Sequence, residues 1–153
     1  MSNQETVTTL EEELKREGVF AYVTSGGSME PLFRTHRDVV VIGRATGELR
    51  PLDVALYLSG EEGKYILHRV IRVREDCYVI RGDNTYQNEY VPKEAVLGVL
   101  TEFTRKGKRH SVRDLGYRIY SRTWTLIYPI RRLLRAMRRA LGRAFRLVFP
   151  KRK

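Results

Sequence analysis

Three residues in this 153-residue chain have the types and the order required for hydrolytic serine chemistry. Ser28 stands in the Gly-rich run Ser25-Gly26-Gly27-Ser28-Met29-Glu30-Pro31-Leu32, His68 in Leu67-His68-Arg69-Val70-Ile71, and Asp83 in Arg81-Gly82-Asp83-Asn84. A hydroxyl is a poor nucleophile at neutral pH and needs a base beside it, and a carboxylate can hold that base in the right tautomer. Gly26 and Gly27 permit a tight turn that exposes the Ser28 hydroxyl and presents N–H groups to an oxyanion. An imidazole is mostly neutral at pH 7 and can take the serine proton, while the Asp83 carboxylate accepts the other ring N–H. Each piece alone has a plainer meaning. A serine in a Gly-rich turn is usually only a turn, a histidine on a strand is usually structural, and Gly-Asp-Asn is first a hairpin signature. It is the three together, in order, that point to catalysis. His36 and His110 sit among charged neighbours and read as solvated surface residues. Asp53 in Leu52-Asp53-Val54 reads as a turn residue.

The elements that must position these groups are mostly strands. Val19 to Val23 runs into the Gly26-Gly27 turn, and Asp38 to Ile42 and Asp53 to Leu58 are β-branched or apolar runs. Tyr65 to Arg74 alternates, with Ile66, His68, Val70 and Arg72 on one side and Leu67, Arg69, Ile71 and Val73 on the other. Tyr78 to Ile80 leads into the Gly82-Asp83-Asn84 turn, and Val96 to Phe103 is a further strand. Short strands at this spacing indicate a mainly β body rather than a parallel α/β sheet. Before them, Thr8 and Thr9 each have a glutamate three residues on, Leu10 and Leu14 share a face, and Gly18 follows. A short helix is predicted over 9–17, capped at Gly18.

After Asp114 the pattern changes. Ile130, Leu133, Leu134, Met137, Leu141, Phe145 and Val148 recur at helical spacing, while seven arginines fill the opposite side. Tyr120, Trp124 and Tyr128 precede this predicted amphipathic helix. From Leu115 to Lys153 there are twelve Lys or Arg and no Asp or Glu, so this segment carries the whole +11 net charge and the rest is close to neutral. Such asymmetry points to an anionic partner. The Ile130 to Val148 helix with its aromatic prelude fits an anionic membrane surface, with nucleic acid the second choice. The expected organisation is an N-terminal helix over 1–18, a β domain over 19–112 and a basic tail over 113–153. The single cysteine, Cys77, excludes an internal disulfide and a Cys-based zinc site. No apolar run reaches the roughly 18–20 residues that span a bilayer, and no secretion signal opens the sequence.

Taken in order, Ser28-Met29-Glu30-Pro31, Asp53-Val54, His68-Arg69-Val70-Ile71, Gly82-Asp83-Asn84 and Val96-Leu97-Gly98-Val99 resemble the superfamily of type I signal peptidases and self-cleaving SOS-type repressors. The resemblance spans residues 24 to about 103. In that superfamily the serine before methionine is the nucleophile. The base is lysine in bacterial signal peptidases and repressors, and histidine in the branch of the endoplasmic reticulum, archaea and some spore-forming bacteria. His68 occupies that place. The resemblance therefore implies a Ser–His endopeptidase with the family's β-fold, acting on an extended signal or leader peptide with small residues beside the cut. It implies no metal and no cofactor. Asp83 matches the histidine branch's Gly-Asp-Asn aspartate, and Glu89 matches a second acid found several residues later in some relatives. Two departures stand out: Gly26 replaces the hydroxyl residue that often helps bind the oxyanion, and the family's N-terminal membrane anchor has no counterpart. The basic helix is then expected to hold the protein peripherally at a membrane. The rival roles are a cytosolic self- or leader-cleaving protease and a non-catalytic relative that binds membrane or nucleic acid.

Overall fold

The structure, a computed structural model, describes residues 12–59 and 63–148, with the side chains of 144–148 excepted. Eight antiparallel strands form one sheet: β1 (Val19–Val23), β2 (Val39–Arg44), β3 (Val54–Leu58), β4 (Tyr65–Val73), β5 (Cys77–Arg81), β6 (Glu89–Pro92), β7 (Val96–Arg105) and β8 (Lys108–Ser111). Their order is β1-β2-β7-β3-β4-β5-β6, and β8 pairs with β7. The chain is thus mainly β, as its strand spacing predicts. β6 and β8 are additions to that expectation; each is four residues long, and only one of β6's is buried.

Period-two alternation divides the core in two. On β3, Val54 and Leu56 join Met29, Phe33, Ile42 and Phe103 on one side of the sheet, whereas Ala55 and Tyr57 join Val70, Ile80 and Val91 on the other. β3 is therefore buried on both faces, which explains why Val54–Leu58 is a nearly continuous apolar run. The same alternation on β4 governs the site. Ala55 lies opposite His68 and Val54 opposite Arg69, so these consecutive residues project to different faces.

Residues 12–17 form helix α1, which ends at Gly18 (φ +73°), whose N–H bonds the Leu14 carbonyl. The earlier part of the predicted helix, with Thr8, Thr9, Leu10 and Glu11, lies outside the described residues. Two helices follow the sheet, α2 (Leu115–Leu126) and α3 (Tyr128–Val148). The single tail expected over 113–153 therefore contains two elements with different environments. α2 is docked on the body, with Ser121 buried and Tyr117 and Tyr120 packed on the core. Along α3, every residue from Arg132 to Leu141 is exposed. The aromatic prelude is part of the body as well: Trp124 Nε1 donates to the Asp83 carbonyl (2.9 Å) and the Tyr128 hydroxyl to the Tyr86 carbonyl (3.1 Å).

Candidate active site

Ser28 lies in a segment fixed at both ends. The Thr24 hydroxyl donates to the carbonyls of Arg34 and Asp38 (3.1 Å each), and the Asp38 carboxylate accepts the Arg34 N–H (2.8 Å) and the Arg37 guanidinium. Between these ties Met29, Leu32 and Phe33 are buried in the core. The chain reaches Ser28 through Gly26, whose φ of +81° is a left-handed conformation that a side chain would disfavour. Ser28 itself is half-buried. Its carbonyl accepts the Asn84 N–H at 2.7 Å, and the Asn84 side-chain amide donates to the Gly27 carbonyl at 3.1 Å. The Gly82-Asp83-Asn84 turn thus grips the backbone of the Gly-rich run. Among the described residues, no acceptor takes the Ser28 N–H.

His68 is buried at 5% exposure. Its Nδ1 lies 2.8 Å from Glu89 Oε1, and the Tyr57 hydroxyl donates to the other oxygen of the same carboxylate. A carboxylate can only accept, so Nδ1 carries a proton and, in the neutral ring, Nε2 has the lone pair. Nε2 is buried and has no hydrogen-bond partner among the described residues. The Glu89 carboxyl is held below the usual carboxylate range, first by the bond from His68 and then by that from Tyr57, against the opposing effect of its own partial burial. The Tyr57 phenol is pushed well above the ordinary tyrosine value by burial and by Glu89, so it remains a donor.

Ser28 and His68 line one cavity of about 330 Å³, together with Gly26, Met29, Tyr22 and Ile66. Gly82 shows how closely they approach. A Cβ added there would lie 2.7 Å from the Ser28 carbonyl oxygen and 2.9 Å from His68 Nε2, so backbone and ring touch the same small volume. The Ser28 hydroxyl does not hydrogen-bond Nε2 in this structure; catalytic hydrogen bonds of this kind are often long before substrate binds.

Asp83, expected to orient His68, does not meet it. Its carboxylate makes a two-pronged pair with Arg69 (Nε to Oδ1 2.8 Å, Nη2 to Oδ2 2.8 Å) and accepts the Tyr120 hydroxyl at 2.9 Å. Strand parity is the reason. Arg69 pairs across the sheet with Arg81, and Asp83, two residues on, shares their side. Val70 pairs with Ile80 and Ile80 with Glu89, so Glu89 shares the side of His68. Glu89, not Asp83, is therefore the carboxylate that His68 bonds. Tyr57 carries no sequence signal of its own, but it becomes legible once Ala55 is known to face His68, because Tyr57 is then the diagonal neighbour on that face.

The Asp53 carboxylate accepts the Arg50 N–H at 2.7 Å and shapes a turn. His36 is exposed. His110, read as solvated, is instead half-buried and stacked on Phe103 at 5.2 Å. Cys77 is half-buried at the start of β5. Among the described residues, no cluster of His, Cys, Asp and Glu could hold a metal ion. Comparison with known proteins finds no family model that matches this chain and no curated protein similar to it.

Proposed function

We propose that the protein is a serine endopeptidase resembling the histidine branch of the signal-peptidase and repressor superfamily, with Ser28 as nucleophile, His68 as base and Glu89 as the carboxylate that orients it. One observation carries this: His68 has Nδ1 committed to a carboxylate and Nε2 buried without a partner among the described residues, in a cavity that it shares with Ser28. A histidine kept only for structure would satisfy both nitrogens or expose one to water.

The mechanism follows from the atoms present. Ser28 Oγ attacks the scissile carbonyl while Nε2 takes its proton, and Glu89 stabilises the imidazolium that forms. The imidazolium then protonates the leaving amine, leaving an acyl-enzyme on Ser28. Water, deprotonated by the same nitrogen, releases the acyl group. The Ser28 N–H is available to the oxyanion, which suits a site where Gly26 offers no hydroxyl. The substrate is an extended segment of a signal or leader peptide. β1 is an edge strand, and Tyr22 near its end lines the cavity, so a peptide pairing with that edge would run toward Ser28.

A fluorophosphonate probe tests the assignment. Wild type should be labelled at Ser28, whereas Ser28→Ala and His68→Ala should not, with unchanged folding by circular dichroism. Labelling of His68→Ala at the wild-type rate would remove the base from the mechanism.

A further inference from the structure

The exposed arm of α3 presents an apolar stripe that no other described element covers. Ile130, Leu133, Met137 and Leu141 are 52–67% exposed, and Leu134 is 49% exposed. An amphipathic helix kept only for packing turns its apolar stripe inward and its charges to water. α3 does the reverse. It meets the body through Tyr128 and through arginines: the Arg131 guanidinium donates to the Asp83 carbonyl at 2.6 Å and lies 3.7 Å over the Trp124 ring, and Arg135 lies 4.2 Å over Tyr86. Arg131, Arg135 and Arg138, with Leu134 at the border of the stripe, line a groove of about 620 Å³ against those two aromatics, opening beside Pro31 of the Ser28 segment. Among the described residues, no ion pair involves an arginine of α3.

We propose that α3 is a docking helix for an anionic lipid bilayer, lying in the plane of the interface with the Ile130–Leu141 stripe among the acyl chains and its arginines among the phosphate headgroups. The charge, with no acidic residue from Leu115 onward, matches an anionic leaflet. The uncovered leucines and methionine match the acyl region. A nucleic acid would use the arginines and leave the apolar stripe in water, and a second copy of the helix would set arginine against arginine. α3 lies on a surface rather than crosses it, since no described helix is long and apolar enough to span a membrane. The proposal does not depend on Ser28 being a nucleophile. Its geometric consequence does concern the site: Arg131 and Trp124 both bond the Asp83 carbonyl, so the docked helix is tied to the turn that grips Ser28.

Vesicle flotation with the full chain tests this. Vesicles of phosphatidylcholine mixed with phosphatidylglycerol should carry the protein, and vesicles of phosphatidylcholine alone should not. Leu133→Glu combined with Met137→Glu should lower partitioning by at least about tenfold, because two buried apolar side chains are lost. Each of Arg132→Gln and Arg139→Gln should lower it about fivefold, and added salt should weaken binding. Because these positions lie outside the catalytic constellation, fluorophosphonate labelling in the absence of vesicles should match wild type, which keeps this proposal separable from the peptidase assignment. Equal partitioning onto neutral and mixed vesicles would overturn the proposal. So would RNA binding that survives the double glutamate substitution without any vesicle binding, or self-association that the double substitution abolishes with no vesicle binding.

Discussion

His68 and Arg69 are consecutive on β4, yet each meets its own carboxylate on its own side of the sheet. On one face His68 bonds Glu89, which keeps 37% of its side chain exposed and also accepts from Tyr57. On the other, Arg69 and Asp83 are 0% and 3% exposed and fully engaged: Arg69 Nη1 also donates to the Leu52 carbonyl (2.9 Å), the Tyr117 hydroxyl (3.2 Å) and Ser121 Oγ (3.1 Å). The first arrangement leaves a ring nitrogen open for a proton to arrive and leave. The second leaves no atom unbonded and joins the sheet to α2. A carboxylate's type therefore says little about its role here; the face it occupies and the saturation of its partners decide it.

The largest expected effects separate these two faces. Glu89→Gln should slow acylation of Ser28 by a fluorophosphonate by about 10⁴-fold, the scale seen when a triad carboxylate becomes an amide and the ring adopts the wrong tautomer. The amide can donate to Nδ1, which drives the proton to Nε2 and removes the base. Stability to urea should change little. Asp83→Ala should do the opposite, costing about 3–5 kcal/mol in urea unfolding because it leaves the Arg69 guanidinium buried without its counter-charge. If Asp83→Ala folded with wild-type stability while Glu89→Gln kept its acylation rate, the two assignments would have to be exchanged.

Gly82 sits beside both the Ser28 carbonyl and the His68 ring, one residue before Asp83. Gly82→Ala would place a methyl 2.7 Å from the Ser28 carbonyl, a backbone atom with little freedom, and 2.9 Å from His68 Nε2. Overpacking of this kind costs about 1–3 kcal/mol. A displacement of Ser28 or His68 by about 1 Å should also lower the acylation rate by about 10²-fold. The expected variant is folded, slightly less stable and far slower, as read by parallel urea titration and probe labelling. Tyr57→Phe should act more gently. It removes one bond to a charged group, and the acylation rate should fall about tenfold while the Nδ1–Glu89 bond persists. A loss as large as that of Glu89→Gln would mean that Tyr57 holds Glu89 in place rather than assisting it.

The comparison also shows what a sequence makes legible. The strands of the site followed from alternation and apolar runs, because a strand buried on one or both faces leaves that trace. Ser28 and His68 followed from residue type and order. The partner of His68 did not, since Asp83 and Glu89 are both acids downstream of β5 and only strand register separates them. Register depends on the bulge between Val70 and Arg72 and on the seven residues between β5 and β6, features that arise from long-range pairing. β6 is hard to read in the sequence for a related reason: Glu89–Pro92 is short, opens on a glutamate, closes on a proline and is recognisable chiefly by its pairing with β5. α2 was hidden because its inward residues are Tyr117, Tyr120, Ser121 and Trp124, polar-tipped groups that bind Arg69 and Asp83 rather than forming an apolar stripe.

The smallest expected effect is a pH dependence that belongs to one face. Glu89 has its carboxyl lowered in the folded state, chiefly by the bond from His68. A depressed carboxyl favours the folded form only while it is ionised there, so its contribution is complete above the unfolded glutamate value of about 4.3 and is lost as pH falls through the lower folded value. The sign is therefore fixed: wild type should lose stability on acidification from about pH 5 to pH 3 more steeply than Glu89→Gln, and the two curves should run parallel at higher pH. Urea unfolding across that range reads the difference directly. Parallel curves throughout would show that Glu89 gains nothing from ionisation in the folded protein. The carboxylate would still be ionised at neutral pH, but the bond to Nδ1 would favour its charge no more than water does in the unfolded chain, which would leave Glu89 the role of orienting the ring.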